Sequence, residues 1–269
     1  MTSEQVPAER RALVTGATAG IGAEFARRLA ADGWALVLVA RDAARLAEVA
    51  AELTGRHGHP VEVVAADLST DDGCAAVERR LAEGSPVELL VNNAGISLNQ
   101  PFLRSSIEDE ARLLRLNVHA VLRLTLAAIG PMTRRGHGAV INVSSVAGFG
   151  PVMPGSTYPA SKAWVTAFSE SVDLTTAGSG VRVMALCPGY TRTGAHERIG
   201  IDTSGTPRFM WLEAAQVVDE ALRDLRKGRS VSVPSLRYKL AVAGVRHAPR
   251  SLLRRFARDT RGRGDRSPG

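Results

Sequence analysis

The sequence predicts an α/β protein with a single doubly wound domain, in which helices cover both faces of a parallel sheet. Three observations lead to that fold class. Short apolar runs alternate with amphipathic stretches over the first two thirds of the chain, and the runs themselves show no polar alternation. Strands buried on both faces have this continuous apolar character. Neither an internal repeat nor a linker interrupts the pattern.

Six apolar runs have the length and composition of buried strands. In chain order they occupy residues 11–16, 34–41, 61–68, 87–95, 138–145 and 181–189. Five intervening stretches carry apolar residues at helical spacing. They cover residues 23–33, 43–56, 72–84, 106–132 and 158–178. We therefore expect one domain over residues 1–225, followed by an appendage over residues 226–269.

Charge is distributed unevenly along the chain. The net charge is +7, yet residues 226–269 alone carry thirteen Lys/Arg and two Asp/Glu, so the body is mildly acidic and the appendage basic. Cys74 and Cys187 share no metal-ligand spacing, and we expect packed, reduced thiols. We find no signal-peptide layout and no stretch near the ~20 apolar residues of a membrane span. These features predict a cytoplasmic protein.

A glycine-rich stretch, "TGATAGIG", lies between the first predicted strand and the first predicted helix. Gly16, Gly20 and Gly22 have the spacing G-x-x-x-G-x-G. Glycines let the backbone turn sharply and approach a pyrophosphate, whose charge the helix N-terminus stabilises. The stretch predicts a dinucleotide site on a Rossmann-type sheet, and the alternative is a turn without a ligand.

Two further motifs follow in order: "NNAG" at residues 92–95, and the pair Tyr158 and Lys162 in Tyr-x-x-x-Lys spacing. With the glycine loop, they make the chain similar to the short-chain dehydrogenase/reductase family over roughly residues 10–225. The resemblance implies an NAD(P)-dependent oxidoreductase. It also implies a homo-oligomer, a dimer or tetramer formed through the long helices.

The end of the second strand predicts the form of the cofactor. An acidic residue there binds the ribose 2′-hydroxyl of NAD, whereas an arginine accommodates the 2′-phosphate of NADP. Ala40 and Arg41 end this strand, and Asp42 comes one position later, on the following turn. NADP is therefore favoured over NAD, with a solvated Arg41 as the alternative. Ala19 departs from the basic residue that many NADP-using relatives have before the second glycine.

The resemblance implies a larger set of cofactor contacts, shared between six segments. They are Gly16, Thr18, Ala19, Gly20, Ile21 and Gly22 of the glycine loop; Arg41; Asp67 and Leu68 beside the adenine; Asn93, Ala94 and Gly95 on the ribose side; Tyr158 and Lys162; and Pro188, Gly189, Thr191 and Thr193 at the nicotinamide end. "NNAG" alone would also suit a turn that ends a strand.

Tyr158 and Lys162 are four residues apart at the start of a predicted helix, so they lie on one face. Pro159 suits a first helical turn. A free phenol has a pKa of ~10, and we expect the neighbouring ammonium to lower it. Ser145 ends a neighbouring strand, at the sheet edge where such folds bind ligands.

The resemblance assigns a role to each of these residues. Tyr158 would exchange the proton of the carbonyl oxygen, Lys162 would bind the nicotinamide ribose, and Ser145, rather than Ser144, would orient the substrate. Asn117 would support a water that links Lys162 to solvent. Read singly, Tyr158 and Lys162 could be a surface pair. Ser145 could be a turn former, and Asn117 could be a helix residue that points to solvent.

Two loops, residues 146–157 and 189–212, are expected to frame the substrate pocket. Their large apolar side chains are Phe149, Val152, Met153, Phe209, Met210 and Trp211. A hydrophobic carbonyl compound (acyl, steroid-like or aromatic) is the resulting hypothesis, and anchoring of the loops to the domain is the alternative. Arg192 and Arg198 could meet an acidic substrate or be solvated. We expect no metal site, because the histidines share no ligand spacing.

The appendage carries ten basic and no acidic residues over residues 226–258. Leu252, Leu253 and Phe256 fall on one helical side among arginines, a pattern that suits packing within the protein or an oligomer, an anionic membrane surface, or a solvated tail. Nucleic-acid binding is disfavoured because no recognised binding module accompanies the arginines. The last residues, "RGRGDRSPG", are expected to be disordered.

The sequence thus predicts an NADP-preferring oxidoreductase that interconverts a ketone and a secondary alcohol. One rival is an NAD-linked alcohol dehydrogenase that runs toward oxidation. The other is a non-catalytic protein that senses the dinucleotide or serves as a scaffold.

Overall fold

Seven strands form one parallel sheet in the computed structural model, which describes residues 10–98, 100, 102–150, 157–193 and 207–247. The strand order is β3-β2-β1-β4-β5-β6-β9. The strands are β1 (Arg11–Thr15), β2 (Ala35–Ala40), β3 (Val61–Ala65), β4 (Leu89–Asn92), β5 (Gly138–Val143), β6 (Val181–Leu186) and β9 (Val231–Ser232). Two short strands, β7 (Thr191–Arg192) and β8 (Leu212–Glu213), pair separately.

Helices cover both faces of the sheet. They are α1 (Gly20–Ala31), α2 (Ala43–His57), α3 (Asp71–Glu83), α4 (Ile107–Leu114), α5 (Ala120–Arg135), α6 (Tyr158–Thr175), α7 (Ala214–Arg226) and α8 (Leu236–His247). Successive strand residues point to opposite faces and form two cores: Val14 packs with α1, α2, α7 and α8, whereas Leu13 packs with α3 and α5. The predicted doubly wound α/β fold is confirmed.

The domain continues beyond residue 225, where the sequence predicted it to end. In β9, Val231 and Ser232 pair with the end of β6, and α8 buries Tyr238 and Val242 in the core. A two-residue strand is too short to show a periodic pattern of apolar residues. The buried positions of this segment are few and lie among basic residues, so the sequence did not indicate them. Residues 248–269, which include the predicted apolar group around Leu252, lie outside the described part of the chain.

The helical pattern predicted over residues 106–132 is divided in the structure. A π-helical turn, Arg115–His119, joins α4 to α5. By length and composition the continuous span Ile107–Arg135 could cross a membrane, contrary to the expectation from sequence. Its apolar composition has a local explanation, since Leu124 and Met132 of α5 are buried against the sheet. Both cysteines are buried free thiols, as predicted.

Candidate active site

The glycine loop crosses the carboxyl end of β1 in a conformation that requires glycine. Gly16 has a φ of 65°, in the left-handed region. A methyl group on Gly22 would collide with the carbonyl oxygen of Gly16, so the start of α1 lies directly against the loop. Gly20 also faces Thr193, whose Cβ would lie 3.0 Å from a Cβ at Gly20. The loop after β1 and the loop after β6 therefore meet at this edge.

The N-terminus of α1 differs from those of the next three helices. Asp42, Thr70 and Ser106 cap α2, α3 and α4 with side-chain oxygens. The N-cap of α1 is Ala19, which offers no side-chain cap, and its first turn contains no acidic residue. Uncapped N–H groups and the positive end of the helix dipole suit a phosphate. Together with the close backbone, this arrangement fits the pyrophosphate of a dinucleotide.

Asn93 fastens the glycine loop to the end of β4. Its side-chain amide donates to the carbonyl oxygen of Thr15 at 2.9 Å. The Thr15 hydroxyl accepts from the backbone N–H groups of Asn93 and Ala94, both at 2.9 Å. "NNAG" is thus more than a turn: its second asparagine sets the position of the loop that would hold the cofactor.

Charged residues gather where the adenosine end of a dinucleotide would lie. Arg41 is exposed directly beyond β2, and the Asp42 carboxylate accepts from Arg45 N at 3.0 Å as the cap of α2. Asp67 follows β3 and accepts from Ser69 Oγ at 2.7 Å. Partial burial acts to raise the pKa of Asp67, but its hydrogen bonds with Ser69 and the charges of Arg41 and Arg112 outweigh it and lower the pKa.

Arg112 belongs to this cationic region, although the sequence gave no reason to select it. It lies on α4, forty-five positions after Asp67, and the fold brings the two charges within electrostatic range. Leu68, which the sequence placed beside the adenine, is buried.

Ser144 and Ser145 point in opposite directions beyond β5. Ser144 is buried, and its hydroxyl donates to Lys162 O at 2.6 Å and bonds with Thr166 Oγ1 at 2.8 Å. Ser145 shares a side-chain hydrogen bond with Tyr158. The extended backbone at Ser145 explains this alternation. Of the two serines, Ser145 therefore has the geometry to bind a substrate oxygen.

Lys162 is buried beside Tyr158. Its Nζ atom lies 5.7 Å from the centre of the Tyr158 ring and donates to Val143 O at 2.8 Å. Burial lowers the pKa of Lys162 to about 8. Burial also raises the pKa of Tyr158, against a hydrogen bond with Ser145 that lowers it. The sequence led us to expect a lowered pKa for Tyr158, whereas in this arrangement desolvation dominates and the pKa is raised.

Asn117 completes the group from the π-helical turn between α4 and α5. Its side chain is buried, accepts from Ile96 N at 2.9 Å and donates to Ile96 O at 2.8 Å. A Cβ at Gly95 would lie 3.1 Å from Asn117 Oδ1 and 3.5 Å from Lys162 Nζ. Such turns are frequent at functional sites. The π-helical turn brings Asn117 against Gly95 and Ile96, and Gly95 also lies beside Lys162.

Glu110 was missed by the sequence reasoning. Its Oε2 atom accepts from Thr157 Oγ1 at 2.5 Å and from Thr157 N at 3.4 Å. No side chain of α6 caps its own N-terminus, so this carboxylate of α4 caps the helix directly before Tyr158. An acidic residue on the buried face of α4 was the available signal. Its partner is forty-seven positions away.

The loop after β6 holds the residues predicted at the nicotinamide end. Pro188 O accepts from Val146 N at 3.1 Å, and Thr191 Oγ1 donates to Gly189 O at 2.9 Å. Tyr238 of α8, a second residue that the sequence reasoning missed, lies so close that a methyl group on Gly189 would overlap its ring.

The substrate loops are described in part. Phe149 and Met210 pack against the core, as anchors would, whereas Phe209 is exposed. Arg192 pairs with Glu213 at 3.1 Å and lies over the Trp211 ring. The predicted positions Val152, Met153 and Arg198 lie outside the described residues. Among the residues described, no group of three or more His, Cys, Asp or Glu could hold a metal ion.

Most of the described chain matches a known protein family. The sequence profile of the short chain dehydrogenases matches residues 10–203. Nodulation protein G of Rhizobium sp. (strain N33) is 38% identical over 192 residues, which cover 71% of this chain and 76% of that protein.

Solved structures agree over a larger share of the chain. A short-chain dehydrogenase from Sphingobium yanoikuyae in complex with NADPH is 38% identical, with a TM-score of 0.81 over 88% of this chain and 93% of its own. The bulky-bulky ketone specific alcohol dehydrogenase from Comamonas testosteroni is 32% identical, with a TM-score of 0.78 over 88% and 92%. A short-chain enzyme from Burkholderia phymatum in complex with NAD is 25% identical, with a TM-score of 0.76 over 87% and 92%.

Proposed function

Because the chain belongs to the short-chain dehydrogenase/reductase family, we propose that it is an NADP-preferring oxidoreductase that interconverts a ketone and a secondary alcohol. The observation that carries the proposal is the convergence of Ser145, Tyr158, Lys162 and Asn117 beside the glycine loop. An intact set of this kind argues against a non-catalytic sensor or scaffold. When bound, the cofactor supplies or accepts the hydride.

Proton transfer falls to Tyr158. In reduction its hydroxyl gives a proton to the carbonyl oxygen as that oxygen becomes an alkoxide, and the Ser145 hydroxyl donates to the same oxygen. The raised pKa of Tyr158 keeps the phenol protonated at neutral pH, as an acid must be. The Lys162 ammonium then stabilises the phenolate that remains. In oxidation the same phenolate removes the proton of the alcohol.

The preference for NADP rests on two adjacent residues. Arg41 is exposed at the end of β2, whereas the Asp42 carboxylate is engaged as the cap of α2. The NADPH complex of the Sphingobium protein supports this choice, and the NAD complex of the Burkholderia protein keeps the rival cofactor in the comparison.

The proposed substrate is a hydrophobic carbonyl compound. The Trp211 ring packs at a tilt against the ring of Tyr190, with ring centres 5.6 Å apart, beside the loop after β6. The exposed Phe209 precedes it by two positions. The relative from Comamonas, which is specific for bulky ketones, supports a large apolar substrate.

The test is reduction of carbonyl compounds of graded size by purified protein, with NADPH and with NADH. Tyr158→Phe should lower kcat by about 10³-fold, because it removes the acid, while NADPH binding stays within about threefold. Wild-type rates in the variant would overturn the assignment of the acid. No turnover of any compound, despite tight NADPH binding, would favour the sensor.

A further inference from the structure

Helix α8 is fixed to the domain at its start. Ser235, just before it, has a φ of 76°, a left-handed conformation that residues other than glycine seldom adopt. Its backbone N–H donates to both carboxylate oxygens of Glu220 on α7, at 3.1 and 3.0 Å. Lys239, one turn later, pairs with the same carboxylate at 3.6 Å. The start of α8 is therefore held by contacts with α7.

From this position Tyr238 reaches the loop after β6. Its side chain is buried, with its ring against the Cα of Gly189. Its hydroxyl accepts from the backbone N–H of Tyr190 at 3.1 Å and donates to Met210 O at 2.8 Å. One phenol thus joins the chain segments on both sides of residues 194–206.

The C-terminal end of α8 contacts the other loop beside the site. The Arg246 guanidinium lies 4.7 Å from the centre of the Phe149 ring. Phe149 belongs to the 3₁₀ turn Val146–Phe149, which directly follows Ser145. Both loops next to the proposed catalytic group therefore rest on the same helix.

We propose that Tyr238 is a positioning residue that fixes the loop Pro188–Thr193 at the nicotinamide end of the site. The inference rests on the proposed function for the meaning of that loop. The hydroxyl distinguishes this role from simple packing, because a phenylalanine ring could make the same apolar contact with Gly189. A buried hydroxyl is costly unless it is bonded. Here both of its bonds go to the backbone of the two segments that it joins.

The experiment compares Tyr238→Phe with Val242→Ala. The first variant keeps the ring against Gly189 and removes only the hydroxyl. The second removes buried volume from the next turn of α8 and keeps the hydroxyl, so it controls for general loosening of the helix. Hydrogen exchange of the peptide that contains Tyr190 is followed in the protein without cofactor, and kcat/KM is then measured with NADPH.

In Tyr238→Phe the amide of Tyr190 should exchange at least about fivefold faster than in the wild type, because its acceptor is gone. The value of kcat/KM should fall about tenfold, since a displaced loop misplaces the reacting atoms. NADPH should still bind within about threefold, because the glycine loop is untouched. Val242→Ala should change neither the exchange nor kcat/KM by more than about twofold.

Unchanged exchange in Tyr238→Phe would overturn the proposal, as would an equal loss of kcat/KM in Val242→Ala. The exchange arm does not depend on turnover. A wild-type protein that reduces no carbonyl compound would therefore refute the proposed function, while the exchange rates would still decide whether Tyr238 holds the loop.

Discussion

Arg41 and Asp42 follow one another beyond β2 and yet have different tasks. The carboxylate caps α2 through Arg45 N, which leaves the guanidinium as the charge available to a 2′-phosphate. In the sequence, the position of Asp42 on the following turn already favoured NADP over NAD. The cap adds a structural reason, since one oxygen of Asp42 is bonded to Arg45 N.

Replacement of Arg41 by alanine should weaken NADPH selectively. We expect KM for NADPH to rise about tenfold to about a hundredfold, with little change for NADH, because a charge-assisted contact to phosphate is lost. The control is Arg45→Ala, since Arg45 lies close by but pairs with Glu48 at 2.6 Å. Equal effects on both cofactors, or an equal effect in Arg45→Ala, would contradict the assignment. Steady-state kinetics with both cofactors measures it.

Lys162 should make carbonyl reduction sensitive to mildly alkaline pH. Its folded-state pKa of about 8 lies below the ordinary value, so the ammonium loses its proton as pH rises through about 8, while Tyr158, whose pKa is raised, stays protonated. We expect kcat/KM to be level below about pH 7 and to fall above about pH 8, because this parameter reports the free enzyme. A profile that stays level up to about pH 10 would contradict the assignment.

At the scale of elements, α6 depends on α4 for its N-terminal cap. Glu110 accepts a hydrogen bond from Thr157, which lies directly before Tyr158. It therefore also helps to fix the position of the first turn of α6. Glu110 Oε1 is buried and has no hydrogen-bond partner within the described residues. The carboxylate therefore fixes the residue before Tyr158, while burial of its second oxygen costs desolvation free energy.

Glu110→Ala and Glu110→Gln should have different effects. Alanine removes this carboxylate and should lower the free energy of unfolding by about 1–3 kcal/mol, because the half-buried Thr157 hydroxyl loses a charged hydrogen-bond acceptor. It should also lower kcat severalfold through displacement of Tyr158. Glutamine keeps an acceptor oxygen and should restore most of both. Thermal or urea denaturation, with kcat beside it, tests this, and loss of stability with full kcat would leave Glu110 a purely structural role.

Some elements could be predicted from the sequence and others could not. The strands β1 to β6 were predictable because continuous apolar runs leave a buried parallel strand as the simplest interpretation. The strand β9 was not, because two residues carry no period. The π-helical turn at Asn117 was hidden as well, since one added residue hardly alters helical spacing. Contacts such as that of Tyr238 with Gly189 connect positions far apart in the chain, and only the fold creates them.

At the scale of the whole molecule, the helices α4 and α5 carry exposed apolar side chains. Leu114, Leu122 and Leu126 are exposed along α4 and α5, and Leu126 is 72% exposed. Exposed apolar patches of this kind commonly mark interfaces. This supports the proposal that the enzyme is a homo-oligomer assembled through these helices.

Leu126→Lys should shift the protein toward the monomer, because a charge at an apolar interface is costly to bury. Val63→Lys is the control, since Val63 is exposed on the edge strand β3, away from α5. Sedimentation velocity at several concentrations measures the change. A wild type that is monomeric throughout, or a shift in Val63→Lys alone, would contradict this interface.

The pairing of β7 with β8 has a consequence for how such a protein can diversify. Thr191 faces Leu212 in this pair, and Tyr238 bonds to residues next to both strands, so the two strands are held side by side on the domain. When the ends of a connection are already fixed, doubling its length adds only about 0.6 kcal/mol of closure entropy. Sequences of different length could therefore be grafted between these two strands at a small cost in stability, which offers a way to vary the protein next to its proposed site.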